Sequence, residues 1–455
     1  MRSTKIVCTI GPAASSVQVL KQMLVQGMDV ARFNMSHGTH QSHLSLINNA
    51  RQAREELGLP LAILIDTKGP EIRVGDFENG GVNLVKGHSF VLTTQNILGS
   101  ESIAYVNYAH LPAEVKKGTR MLLNDGKIEL VVQAVNGKEI LTKVVEGGYL
   151  SNKKAVNLPD IDIKMPYISE QDKLDIKFAC DVDADYLAIS FVTCADNVLA
   201  VKRLLAKYGK PDMKIISKIE CAQGVNNAHE ILEVSDGIMV ARGDLGVEVD
   251  FAQIPLIQKE LIAECNEHGK LSITATQMME SMSVNNRPTR AEISDVANAI
   301  CDGTTAVMLS AETSAGNHPA LCVQTMAKIA EEMDNSREGN DFAYIKPENM
   351  SMAGNIGYGV CALEYALGES TVVCLNDLAV AKSLSNFRPN TQILFFTSNQ
   401  HEYNQATLFF GVKPIFMANG LNVESCLQYL VAKKLVKRKT DIILVGGNTI
   451  KVVKV

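Results

Sequence analysis

The feature that most constrains this chain is an alternation. Short apolar runs rich in β-branched residues recur between stretches with helical periodicity, in the order expected of βα units. The runs are Lys5 to Ile10, Asp29 to Asn34 and Leu61 to Asp66, and then, after an interruption, Tyr186 to Phe191, Lys214 to Ile219, Gly237 to Ala241, Leu271 to Ala275 and Ala306 to Leu309. Helical segments such as Leu199 to Tyr208 and Ile254 to His268 separate them. Eight strands in this order fit a (β/α)8 barrel split after its third strand, with an open doubly wound sheet as the alternative. The barrel carries a testable consequence, because functional side chains should then gather where strands end and loops begin.

The interruption has another texture. Asn124-Asp125-Gly126 and Asn136-Gly137 sit beside runs such as Ile128 to Val135 and Ile140 to Val145, which is hairpin chemistry. The expected organisation is a barrel over 1–68 and 157–336, a small all-β domain over 69–156, and a third α/β sandwich unit over 337–455. Strands of the third unit are expected at Thr371 to Leu375, Gln392 to Thr397, Lys413 to Met417 and Asp441 to Val445. Placed at the rim of the barrel, the β domain would act as a lid that excludes water.

Composition narrows the partners. A net charge of −6 without a long Lys/Arg run argues against nucleic acid or an anionic membrane. No apolar run approaches the length of a membrane helix, and ten cysteines without C-x-x-C spacing suggest reduced thiols, hence a cytoplasmic protein.

The strand ends carry chemistry. The second ends in Arg32-Phe33-Asn34-Met35-Ser36-His37-Gly38 and the third in Asp66-Thr67-Lys68-Gly69-Pro70-Glu71-Ile72-Arg73. Asn34, Ser36, Asp66 and Thr67 are hard oxygen donors of the kind that binds alkali or alkaline-earth cations. The fifth ends in Ser217-Lys218-Ile219-Glu220, whose period-two geometry sends Lys218 and Glu220 to one side. The sixth ends in Ala241-Arg242-Gly243-Asp244, giving a second carboxylate; two carboxylates plus substrate oxygens suit Mg²⁺. The seventh and eighth bring Thr276 and Ser310 to the same rim. His37, His40 and His43 read as a solvated helix face rather than a metal site, and Met278, Met279 and Met282 as core filler.

These blocks in this order resemble the pyruvate kinase family. The matching segments are KIVCTIGP at Lys5, RFNMSHG at Arg32, DTKGPEIR at Asp66, KKAVNLP at Lys153, SKIE at Ser217, GIMVARGDLGVE at Gly237, ATQMMESM at Ala275 and RPTRAEISDVANAICDG at Arg287. The resemblance implies transfer of the phosphoryl group of phosphoenolpyruvate to ADP, in a homotetramer. Arg32 and Lys218 would bind the phosphoryl group. Glu220 and Asp244 would hold Mg²⁺ or Mn²⁺, while Asn34, Ser36, Asp66 and Thr67 would hold K⁺. Gly243, Asp244 and Thr276 would meet phosphoenolpyruvate, and Asn34, His37, Arg73 and Lys154 the nucleotide. Lys218, Arg32, Thr276 and Ser310 are the catalytic candidates, and which group protonates the enolate stays open.

In the resembling family Glu at the position of Glu71 accompanies K⁺ dependence. The third unit departs from the family where a sugar bisphosphate would bind. There the loop reads Leu375-Asn376-Asp377-Leu378-Ala379-Val380-Ala381, in which Asp377 would repel phosphate, and the chain ends soon after Gly446-Gly447-Asn448. Activation by fructose 1,6-bisphosphate is therefore not expected. Two other functions compete: a Mg²⁺-dependent barrel lyase or aldolase acting on pyruvate enolate, and a catalytically silent regulator on the same scaffold.

Overall fold

In the computed structural model, residues 2–159, 161, 163–336, 350–368, 370–436 and 440–454 are described. Eight parallel strands close a barrel: β1 (Lys5–Thr9), β2 (Val30–Asn34), β3 (Ala62–Asp66), β4 (Tyr186–Ile189), β5 (Lys214–Ile219), β6 (Gly237–Ala241), β7 (Leu271–Ala275) and β8 (Ala306–Leu309), with β1 pairing both β2 and β8. The open sheet is thereby excluded. Nearly every strand residue is buried, because one face fills the barrel and the other is covered by helices, which explains the continuous apolar runs.

Between β3 and β4 the chain leaves the barrel for a six-stranded sheet and a two-stranded one, with a single turn of helix at Leu111–Glu114. Its own apolar core includes Phe90, Leu92, Leu130 and Ile140. The departure point is pinned: Gly69 has φ +74, its N–H donates to Asp172 Oδ1 at 2.9 Å, and a Cβ there would stand 2.8 Å from Ser190 Cβ. Only glycine fits that corner.

The third unit is a five-stranded sheet ordered β11-β10-β9-β12-β13, where β9 is Ser370–Leu375, β10 Ile393–Thr397, β11 Val412–Phe416, β12 Asp441–Gly446 and β13 Thr449–Lys454. β13 is antiparallel to β12, and the Gly446-Gly447-Asn448 segment is the hairpin turn between them rather than the end of ordered structure. The expected boundary at 337 opens the stretch 337–349, which lies outside the described residues. This unit seats on the strand-start face of the barrel. Lys5 Nζ donates to the Val412 carbonyl at 2.6 Å and the Tyr186 hydroxyl to the Gln405 carbonyl at 2.6 Å. On the opposite, strand-end side Asn157, at the end of the β domain, donates its Nδ2 to Glu248 Oε1 at 2.8 Å.

One reading from sequence is corrected. His43 does not belong to a solvated face: it is 6% exposed and its Nε2 pairs with the His37 carbonyl at 2.6 Å. The helix His40–Leu57 turns its His43, Ile47, Ala50 and Ala53 stripe onto the barrel, so burial holds the imidazole below its ordinary pKa.

Candidate active site

The strand ends of β2, β3 and β5 bring four charged side chains, Arg32, Asp66, Lys218 and Glu220, into one buried cluster. Asp66, fully buried at the end of β3, is its hub. Asp66 Oδ2 accepts from Arg32 Nε and lies 2.6 Å from Arg32 Nη2, while Asp66 Oδ1 lies 3.3 Å from Lys218 Nζ. Burial alone would lift the Asp66 carboxyl, but the two cations overcome it and hold the group below its usual range. Arg32 also donates to the Thr9 hydroxyl at 2.8 Å. Its guanidinium is thus fixed in place at the barrel mouth, which a flexible surface arginine would not be.

Lys218 and Glu220 project to the same side, as the strand period requires. Glu220 Oε1 lies 2.9 Å from Lys218 Nζ, and Glu220 Oε2 accepts from the Phe191 N–H at 2.6 Å. Burial would push the ammonium of Lys218 down; Asp66 and Glu220 outweigh it, so the lysine stays charged. Glu220 goes the other way: burial, reinforced by the charge of Asp244 against the pull of Lys218, lifts its carboxyl to about 7. Asp244 is raised as well, chiefly by burial, with Glu71 and Asp125 adding negative charge.

Those two carboxylates fit a divalent cation. Glu220 Oε1 is buried and, although close to the ammonium, has no hydrogen bond in the right direction. A hard cation would satisfy that oxygen and oppose the upward shift of both carboxyls. Among the described residues no group of three or more His, Cys, Asp or Glu side chains could chelate a metal.

The monovalent-cation candidates share one corner. Asn34 and Asp66 are register partners across β2 and β3, and Met35 N–H donates to the Asp66 carbonyl at 2.9 Å. Asn34 Oδ1 accepts from Ser36 N–H at 3.0 Å, and the Thr67 carbonyl accepts from Ser190 Oγ at 2.7 Å. Each oxygen keeps a second lone pair for a cation.

Thr276 sits at φ +68, an uncommon conformation for a β-branched residue. Its Oγ1 accepts from Gly243 N–H at 2.7 Å and donates to the Ala275 carbonyl at 2.6 Å. The bend is clamped by Arg242, which donates to the Thr276 carbonyl at 2.8 Å while paired with Asp295 at 2.7 Å through both terminal nitrogens. Ser310 lies at the end of β8 with a buried hydroxyl that has no partner.

The nucleotide candidates are more peripheral. Arg73 forms a two-point pair with Glu71 at 2.8 and 2.9 Å and donates to the Lys153 carbonyl, Lys154 Nζ is 3.9 Å from Asp125 Oδ2, and His37 is exposed. A cavity of about 450 Å³ opens beside this region, lined by Pro70, Glu71, Asn157, Phe191 and Asp244. It adjoins the carboxylates but is not lined by Arg32 or Lys218.

Sequence reasoning missed Ser190. It follows β4, receives a 2.7 Å hydrogen bond from Lys218 Nζ, and bonds Thr67, so it links the lysine to the monovalent-cation corner. It also missed Arg242 and Asp295, whose pairing spans 53 residues.

Comparison with known proteins accords with this geometry. The family model described as "Pyruvate kinase, barrel domain" matches residues 1–323, and "Pyruvate kinase, alpha/beta domain" matches residues 355–454. The chain is 43% identical to a pyruvate kinase of Bacillus licheniformis over 458 residues, covering 99% of this chain and 78% of that protein. A pyruvate kinase of Clostridium acetobutylicum is 37% identical over 455 residues, covering 98% and 96%. A crystal structure of a pyruvate kinase from Cryptosporidium parvum superposes with a TM-score of 0.94 at 33% identity, covering 100% of this chain and 96% of that one.

Proposed function

This chain belongs to the pyruvate kinase family and is a phosphotransferase, and from that premise we propose how its own residues move the phosphoryl group from phosphoenolpyruvate to ADP. The observation that carries the proposal is the fixed pair of cations, Arg32 and Lys218, bridged by Asp66. A migrating phosphoryl group spreads negative charge over its equatorial oxygens, so positioning and cationic stabilisation supply most of the catalysis. Arg32 and Lys218 grip those oxygens. Lys218 then faces the enolate that remains, stabilising its oxyanion before carbon is protonated.

Glu220 and Asp244 are the residues that would hold Mg²⁺ or Mn²⁺, which when bound supplies positive charge and orients the transferring oxygens. The Thr276 hydroxyl and the backbone at Gly243 and Asp244 receive the substrate carboxylate. Thr276 and Ser310 are the hydroxyls available to a proton-delivering chain of waters. His37, Arg73 and Lys154, with Asn34, meet the nucleotide, and Lys154 and Arg73 lie where the lid meets the barrel.

Asn34, Ser36, Asp66 and Thr67 are the residues that would hold K⁺. What favours a K⁺ requirement is Glu71: its carboxylate is tied to Arg73, so this position brings no positive charge to the corner. Fructose 1,6-bisphosphate does not activate at the usual loop, because Asp377 Oδ1 already accepts from Val380 N–H at 3.0 Å and caps the helix Leu378–Phe387 that a phosphate would approach. The enzyme acts as a homotetramer in the cytoplasm. Ten free cysteines suit a reducing compartment, and among the described residues no helix is long and apolar enough to cross a membrane.

The lyase and silent-regulator readings lose their support with the family assignment. The test is a coupled assay of pyruvate formation from phosphoenolpyruvate and ADP with Mg²⁺ and K⁺. Turnover that requires ADP is the expected result, and its absence in a folded protein overturns the proposal.

A further inference from the structure

Thr276 and Gln277 stand at φ +68 and +54, two left-handed residues in succession, neither of them glycine. Such a turn is strained and persists only where its surroundings over-determine it. One guanidinium supplies that constraint. Arg242 Nη2 donates to the Thr276 carbonyl at 2.8 Å and lies 2.8 Å from Met278 Sδ, while its Nε donates to the Ala275 carbonyl at 3.4 Å. Its far side is engaged too. Nη1 and Nη2 each donate to an oxygen of Asp295 at 2.7 Å, and Nη1 reaches Gln258 Oε1 at 3.2 Å. Asp295 belongs to the helix Arg290–Cys301, so the fork bridges that helix and the turn after β7.

Arg242 also precedes Gly243, whose N–H donates to Thr276 Oγ1 at 2.7 Å. The backbone at this point therefore carries one half of the carboxylate site proposed above, and the Arg242 side chain holds the other half. With a carboxylate on both terminal nitrogens, the guanidinium is charge-compensated where it stands. What it contributes to the site is geometry rather than field.

We propose that Arg242 is a positioning residue for phosphoenolpyruvate: it acts through Thr276, holding that hydroxyl against the Gly243 N–H in the spacing that receives the substrate carboxylate, with Asp295 as the anchor of the fork. The inference rests on the assignment of Thr276 and Gly243 to the carboxylate. Without the fork, the Thr276-Gln277 turn relaxes toward the right-handed or extended backbone that threonine favours, and the hydroxyl leaves its place. The carboxylate is gripped alike before and during phosphoryl transfer, which is uniform binding, so the loss falls on KM and not on kcat.

The test is steady-state kinetics of the full chain with phosphoenolpyruvate and ADP varied separately. Arg242→Lys keeps the charge but cannot span the Thr276 carbonyl and Asp295 at once. KM for phosphoenolpyruvate should rise about tenfold or more, while KM for ADP and kcat stay within about threefold. Asp295→Asn, at a side chain 33% exposed, should raise KM for phosphoenolpyruvate by about threefold, and it decides the matter if Arg242→Lys does not fold. Thr276→Ala separates the inference from its premise. If it raises KM for phosphoenolpyruvate while Arg242→Lys and Asp295→Asn leave that KM within about twofold of wild type, the carboxylate assignment stands and the role of Arg242 is overturned. If Thr276→Ala itself leaves KM unchanged, the assignment falls and the inference with it. The double variant Arg242→Lys/Thr276→Ala should lie within about twofold of Thr276→Ala alone, because both changes act on one hydroxyl. Two effects that multiply independently, or a fall in kcat with KM for phosphoenolpyruvate unchanged, overturn the proposal.

Discussion

The ammonium of Lys218 donates to the hydroxyl of Ser190 at 2.7 Å, and that hydroxyl donates in turn to the Thr67 carbonyl at 2.7 Å. Lys218 is therefore aimed by a hydrogen bond from outside its ion pairs. Ser190→Ala removes one neutral acceptor from a charged donor, a loss of about 1.5–3 kcal/mol where the bond is fully made. The expected outcome is a fall in kcat of about tenfold or more with a smaller change in KM for phosphoenolpyruvate. Steady-state kinetics with the substrate varied check it, and a change confined to KM would remove Ser190 from the positioning of Lys218.

The monovalent-cation corner predicts a requirement that salt substitution exposes. Turnover in tetramethylammonium buffer free of Na⁺ and K⁺ should drop by at least about tenfold and return on adding K⁺, since a cation among Asn34, Ser36, Asp66 and Thr67 complements the charge on the phosphoryl group. Undiminished turnover without K⁺ would refute the role given to Glu71 and that corner.

At the Asp377 loop the helix terminus is already capped by a carboxylate. Adding fructose 1,6-bisphosphate should leave the phosphoenolpyruvate saturation curve in place, within about twofold, as expected for a helix start that presents negative charge to a phosphate. A clear leftward shift would show that another surface receives it.

Asp185 gives a pH dependence of stability. It is 1% exposed at the start of β4; Oδ2 accepts from Ile63 N–H at 2.8 Å, and Oδ1 has no hydrogen bond. Burial raises its carboxyl to about 6, against the opposing pull of Ile63 N–H, Arg54 and His401. The unfolded value is near 3.9, so the folded chain binds the extra proton between those limits. The stabilisation from a protonated Asp185 is present below about pH 4 and is lost as pH rises through about 6, roughly 3 kcal/mol in all. Asp185→Asn should therefore gain about threefold more stability relative to wild type at pH 8 than at pH 4.5 in urea denaturation. The same difference at both values would contradict the assignment.

Much of this architecture can be read from the residues because parallel barrel strands are buried on both faces. Continuous apolar runs such as Ile63 to Ile65 and Ile238 to Val240 therefore announce themselves, and the charged residues at their ends stand out. Lys218 and Glu220 are two residues apart on one strand, so period-two geometry suffices to join them. Ser190 gives no such signal: a lone serine after a strand is unremarkable, and its importance comes from Lys218, which is distant in sequence. His43 was misread because Asn, Ser and Thr neighbours dominate its local composition, whereas its burial is set by the stripe it shares with Ile47 and Ala50. β13 has a period-two pattern too short to separate from a terminal tail, and only its pairing with β12 defines it. The clamp of Arg242 on Thr276 depends on backbone at φ +68, which no residue type there foretells.

The central claim is that the Lys218 ammonium, held among Asp66, Ser190 and Glu220, stabilises the phosphoryl group in flight and the enolate left behind. The most direct measurement is the turnover of Lys218→Gln in the coupled pyruvate assay, alongside direct binding of phosphoenolpyruvate to the same variant. A loss of about a thousandfold or more in kcat, with binding weakened by about tenfold or less, is expected of a group that acts mainly in the transition state. A folded Lys218→Gln enzyme turning over within about tenfold of wild type would contradict the account.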